Sequence, residues 1–350
     1  MSTESFVQAL PKVELNIQLE GAIQQNTLLM IAEQNEIRES LKHFDDWVRL
    51  IETPDYRRVN ELTRTICSWL KYPDNLTRII YDMGTVLSKQ NVRYAEVGIN
   101  TALFPELTQN YEAFLGLIND GRERARRAWG IELAWIFVIP REEPRRADEL
   151  ARWATTAAAQ RGGVVALGLS GDENAQPIGQ FERPFNAVEK KELPRVVRAG
   201  DAQGAEGVLK AIEALHPTRI VDGWGAVDQP EVLAALTQND ITVAASLLRA
   251  QRQGWVETVA DYPLRKLYDG GVSVVVGSDM PSVYHTTLND EYLAVVEQCG
   301  FTTEELEDLG MNAVRNSYMP EEAKAEMLAA FTQAYADARA EHLEAAQESS

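Results

Sequence analysis

Arg198, Asp201, Asp222 and Asp279 are the residues of this chain best suited to do chemistry, in a sequence of 350 residues that holds only four histidines and two cysteines. Carboxyl groups enclosed together divide into acid and base, because burial and neighbouring charge drive their pKa values apart. A guanidinium beside them stabilises developing negative charge and never loses its own proton. The histidines offer less. His43, His216, His285 and His342 are scattered, and only His285 follows closely on Asp279. Cys67 and Cys299 lack any CxxC spacing, which removes a thiolate zinc site and a disulfide framework and suits a reducing compartment.

Short apolar runs must position these residues. They fall at Lys12 to Leu19, Val92 to Ile99, Glu132 to Ile139, Val164 to Leu169, Arg195 to Arg198, Arg219 to Val221, Ile241 to Ser246 and Val272 to Val276. Between most of them lie stretches of helical periodicity, such as Asp148 to Gln160, Ala205 to Leu215 and Pro230 to Thr237. Strand and helix alternate, and eight parallel strands with crossover helices predict an α/β fold, a (β/α)8 TIM-type barrel. A doubly wound sheet is the alternative, but no GxGxxG follows a strand. Helical spacing from Thr27 to Ile51 and from Asp55 to Lys89 adds N-terminal helices, and Glu321 to Ala345 reads as a C-terminal helix with a frayed end. A single domain, 1–350, with its core at 11–320, is the expected organisation.

In such a barrel the active site lies where the strands end. Asn16, Gln18 and Glu20 follow the first run, Gly171 and Asp172 the fourth, Arg198 and Asp201 the fifth, Asp222 the sixth, Ser246 to Arg249 the seventh and Asp279 the eighth. Asp, Asn and Ser favour such places as caps and turns for backbone reasons alone. Capping does not call for an arginine where a strand emerges.

Composition bounds the partners. A net charge of -19 argues against nucleic acid, since phosphate binding needs clustered Lys and Arg. No apolar run reaches membrane-spanning length and the N-terminus lacks a signal-like pattern, so a cytoplasmic protein with no membrane partner is expected, acting on a small molecule. Homo-oligomerisation stays open. Arg122 to Arg127 is a basic run on a helix and reads as a solvated face.

From about Pro11 to Pro320 the sequence resembles the adenosine deaminase-like members of the amidohydrolase superfamily. The resemblance is carried by PKVELNIQLEGAI (Pro11 to Ile23), NVRYAEV (Asn91 to Val97), LGLSGDE (Leu167 to Glu173), RAGDAQG (Arg198 to Gly204), RIVDGWG (Arg219 to Gly225), YPLRKLYDGGVSVVVGSDMP (Tyr262 to Pro281) and TTLNDEY (Thr286 to Tyr292). It implies the barrel fold and an enzyme in which zinc generates hydroxide to attack C6 of adenosine. Matched box by box, Asn16 and Gln18 stand where the family has two histidine ligands, Arg198 where it has the third, and Asp201 where it has the catalytic glutamate. Asp222 replaces another histidine, Asp279 is retained, and Met280 replaces the aspartate that contacts the purine, while Glu20 keeps an acid at the sugar contact.

An arginine at a ligand position places fixed positive charge beside any cation, so no metal and no cofactor are expected. The residues then imply acid-base chemistry on a small nitrogen-containing or nucleoside-like metabolite: hydrolysis of a C–N bond, a dehydration, a cyclisation or a tautomerisation. Asp279 is the candidate base, Asp201 the proton shuttle and Arg198 the electrostatic stabiliser held by Asp222. Asn16, Gln18, Glu20, Gly171, Met280 and Trp224 are the candidate substrate contacts. Two alternatives stand beside this reading: an inactive pseudo-deaminase that binds a ligand or partner, and a deaminase using oxygen ligands around a non-standard metal.

Overall fold

The computed structural model describes residues 3–37, 44–227 and 229–344. Eight strands form one sheet in the order β1 to β8: β1 Lys12–Gln18, β2 Val92–Asn100, β3 Glu132–Pro140, β4 Val164–Ser170, β5 Arg195–Ala199, β6 Arg219–Asp222, β7 Thr242–Ala245 and β8 Val274–Val276. Every neighbouring pair is parallel. The ring closes just past β8, where the Gln18 amide donates to the Asp279 carbonyl and the Asp279 amide to the Asn16 carbonyl, both at 2.7 Å. The fold is the expected (β/α)8 barrel, and each predicted strand lies on an observed one. β5 and β6 run one residue past the predicted segments, whereas β7 and β8 are shorter because backbone pairing stops before the apolar run does.

Most strands are followed by a helix on the outer face, such as Gly204–Leu215 after β5 and Pro230–Gln238 after β6. The long helical stretches break where local chemistry demands it. Asp55 to Lys89 divides at Pro73, which lacks an amide proton and opens a new helix, Pro73–Lys89, after Val59–Ser68. Asp148 to Gln160 divides at Thr156, whose hydroxyl accepts from the Ala159 amide and caps Ala157–Arg161. Thr27 to Ile51 becomes Gln25–Gln34 and Phe44–Glu52. His43 lies outside the described residues, as do Ala345 and the expected frayed tail. The C-terminal helix, Glu321–Arg339, docks through Tyr335, whose hydroxyl donates to the Pro11 carbonyl. No described helix is long and apolar enough to cross a membrane.

Charged groups inside the barrel are paired or hydrogen-bonded. Glu14 accepts from the Asn16 and Ser278 amides and the Ser278 hydroxyl, tying β1 to the end of β8. Glu96 and Arg219, both fully buried, pair at 2.7 Å. Unpaired charges at this depth would be prohibitive, so these links fix the strands that carry the site.

Candidate active site

At the strand ends a cavity of about 290 Å³ opens, faced by Gln18, Glu20, Gly171, Arg198, Asp201, Arg249, Trp255, Met280 and Tyr284 among others. Two glycines make its floor possible. A Cβ on Gly98 would lie 2.2 Å from the Gln18 amide oxygen, and one on Gly21 would lie 2.2 Å from Met280 Cβ.

Beneath the cavity lies a four-residue ion cluster drawn from β5 to β8. Arg198 donates through Nη1 to Asp222 Oδ2 at 2.6 Å and through Nη2 to Asp279 Oδ2 at 2.8 Å. Arg249 places Nη1 2.6 Å from Asp222 Oδ2 and 3.1 Å from Asp279 Oδ2. All four are buried. Burial alone would raise the Asp279 carboxyl, but Arg198 and Arg249 outweigh it and hold it below the ordinary range. Both aspartates turn the chain in the left-handed region, with φ of 73° at Asp222 and 55° at Asp279, a conformation Asp tolerates better than bulkier residues. The Arg249 guanidinium lies 4.5 Å from the centre of the Trp255 ring, and Trp224 stacks on Trp255 at 6.1 Å.

The cavity also holds carboxyl oxygens with no partner. Glu20 Oε2 and Asp201 Oδ1, like Asp279 Oδ1 in the cluster, are buried and accept no hydrogen bond. Burial pushes the Glu20 carboxyl up to about 7, with Asp279 adding to the rise while backbone amides and Arg198 oppose it. Asp201 is raised first by burial and then by a hydrogen bond to Glu173, against the pull of Arg198 and Arg249.

The expected residues are therefore largely brought together. Arg198, Asp222 and Asp279 form the cluster, while Gln18, Glu20, Gly171, Asp201 and Met280 face the cavity. Asn16 sits deeper, donating to the Ser246 hydroxyl at 3.0 Å, and Trp224 reaches the site through Trp255. Sequence reasoning noted Arg249 among the strand-end residues but gave it no role, although an arginine there is the same signal that drew attention to Arg198. Glu173, Trp255 and Tyr284 went unassigned, because nothing in their spacing places them at the site. His216 contacts Glu189 on the surface, His285 is exposed, and His342 lies by the C-terminal helix.

The adenosine deaminase family profile matches residues 11–334. The chain belongs to the adenosine deaminase family. Among its relatives in this family, aminodeoxyfutalosine deaminase of Streptomyces coelicolor is 27% identical, across 92% of this chain and 83% of that protein. Adenine deaminase of Rhizobium leguminosarum is 27% identical, across 91% and 98%. The crystal structure of an amidohydrolase from Burkholderia ambifaria with bound zinc superposes with a TM-score of 0.87 at 23% identity, covering 97% of this chain and 94% of that one.

Proposed function

We propose that this chain is a deaminase-type hydrolase of a small nitrogen-containing or nucleoside-like metabolite, working by proton transfer with the arginine–aspartate cluster in place of a zinc ion. The donor set supports the metal-free part. Arg198 has no lone pair to give, and Asp222 and Asp279 each already face two guanidinium groups. A divalent cation entering here would meet two fixed positive charges. Those two charges also equal that of the ion they replace, which keeps the pair of aspartates neutralised.

The observation that carries the reading is a pair of buried carboxyl groups with raised pKa values, Glu20 and Asp201, that line one cavity together with Arg198 and Arg249. In hydrolytic deamination water adds to the carbon that bears the amine, one proton leaves the water, and the departing nitrogen gains protons to leave as ammonia. Asp201, with its raised carboxyl, suits the donor. Glu20, near 7, is ionised often enough at neutral pH to accept the proton from water. Asp279, although its Oδ1 is unpartnered, suits the base less well than the sequence suggested, because Arg198 and Arg249 hold its Oδ2 and keep the carboxyl below the ordinary range; we assign it to fixing them. The remaining N–H groups of Arg198 stabilise charge on the substrate. The closed ion cluster also favours a second reading, in which the cavity binds a ligand without turnover.

Purified protein, assayed for zinc by elemental analysis and for ammonia release from a panel of nucleosides, purine bases and other amino-substituted heterocycles, tests both. Ammonia release without zinc, lost in Asp201→Asn, is the expected result. Stoichiometric zinc overturns the metal-free part, and saturable binding with no ammonia from any compound favours the second reading.

A further inference from the structure

We propose that Glu173 is a positioning residue that shares one proton with Asp201, keeping the Asp201 carboxyl in its hydrogen-bond-donating form. Glu173 lies in the loop after β4, behind the segment that carries Asp201, and is 5% exposed. Its Oε1 accepts from the Gly200 amide at 2.9 Å, and its Oε2 from the Ala202 and Gln203 amides at 2.7 and 2.9 Å. Three backbone donors straddling residue 201 leave the Glu173 carboxylate nothing to donate to, so it is committed to the acceptor, ionised form. The same bonds clamp the loop that holds Asp201. Gly207 is part of the fit, since a Cβ there would lie 2.6 Å from Glu173 Oε1.

Two carboxyl groups hydrogen-bonded to each other need one proton between them. Glu173 is held low by its bond to Asp201 and by the loop amides, which outweigh its burial, so the proton resides on Asp201. The other charged groups acting on Asp201 are Arg198, Arg249 and Arg141, all cationic and all favouring its ionised form. Glu173 is the group that opposes them. The catalytic consequence rests on the function proposed above, but the shared proton does not.

The test therefore uses no substrate. In protein labelled with 13C at aspartate carboxyl carbons, with the Asp201 signal assigned by its loss in Asp201→Asn, the midpoint of Asp201 is followed in wild type and in Glu173→Gln. The expected result is a fall of about one pH unit or more in the variant, since a like charge is removed while three arginines remain. An unchanged or raised midpoint in folded Glu173→Gln overturns the proposal. Should that variant not fold, the infrared difference between wild type and Asp201→Asn at about pH 6 decides. A protonated-carboxyl C=O band present only in wild type supports the shared proton, and its absence refutes it. Deaminase activity found or not found leaves both readouts unaffected.

Discussion

Replacing Glu20 by Gln should stabilise the protein, and by more at high pH than at low. Glu20 is buried with an unpartnered Oε2, and its carboxyl rises from 4.5 to about 7 on folding. Below the lower value both folded and unfolded chains hold the proton, and nothing is lost. Between the two the unfolded chain releases its proton while the folded chain keeps it, so stability falls as pH rises. Above the upper value the full penalty is present, about 3 kcal/mol from 1.36 kcal/mol per unit. The wild-type penalty is about 1 kcal/mol at pH 5.5 and about 3 kcal/mol at pH 8.5. Gln keeps the shape and carries no charge, and any misfit of its amide is the same at both pH values. Urea unfolding of both proteins at the two pH values should show the advantage of Glu20→Gln growing by about 2 kcal/mol. An advantage that is flat, or that shrinks as pH rises, would refute the assignment of a buried, proton-retaining carboxyl at the cavity.

Arg249→Gln leaves two buried aspartates facing one guanidinium and should cost about 3–5 kcal/mol in thermal or chemical unfolding, where the surface variant Arg252→Gln costs little. Gly21→Ala drives a methyl group into the Met280 backbone, 2.6 Å from its Cα, and should destabilise by about 1–3 kcal/mol in the same measurement. With a substrate in hand, Asp201→Asn should lower kcat by about 10²- to 10⁴-fold while ligand binding, followed by calorimetry, persists.

The barrel was legible in the sequence because buried parallel strands read as short apolar runs wherever they lie, and all eight declared themselves. Arg198, Asp222 and Asp279 were legible as a group because strand ends converge in a barrel. Arg249 stood at a strand end as well, but its pairing was not legible, since its bond to Asp222 depends on how the turn after β7 folds back over Trp255. Glu173 was hidden for a similar reason: its partners are backbone amides, which leave no trace in residue type. The raised Glu20 carboxyl is a property of its surroundings, to which residues from both ends of the chain contribute.

The ion cluster has one further consequence. Arg198, Asp222, Arg249 and Asp279 all come from the second half of the barrel, whereas Gln18, Glu20, Asn100 and Glu142, which wall the cavity, come from the first. The charge centre thus comes from one half of the chain, whereas the cavity wall draws on both, with Asp201, Trp255, Met280 and Tyr284 facing it from the second. Changes before Arg195, Glu20 apart, can reshape one wall of the cavity while leaving the charge centre whole, so selectivity is free to diverge there without rebuilding the arginine–aspartate cluster.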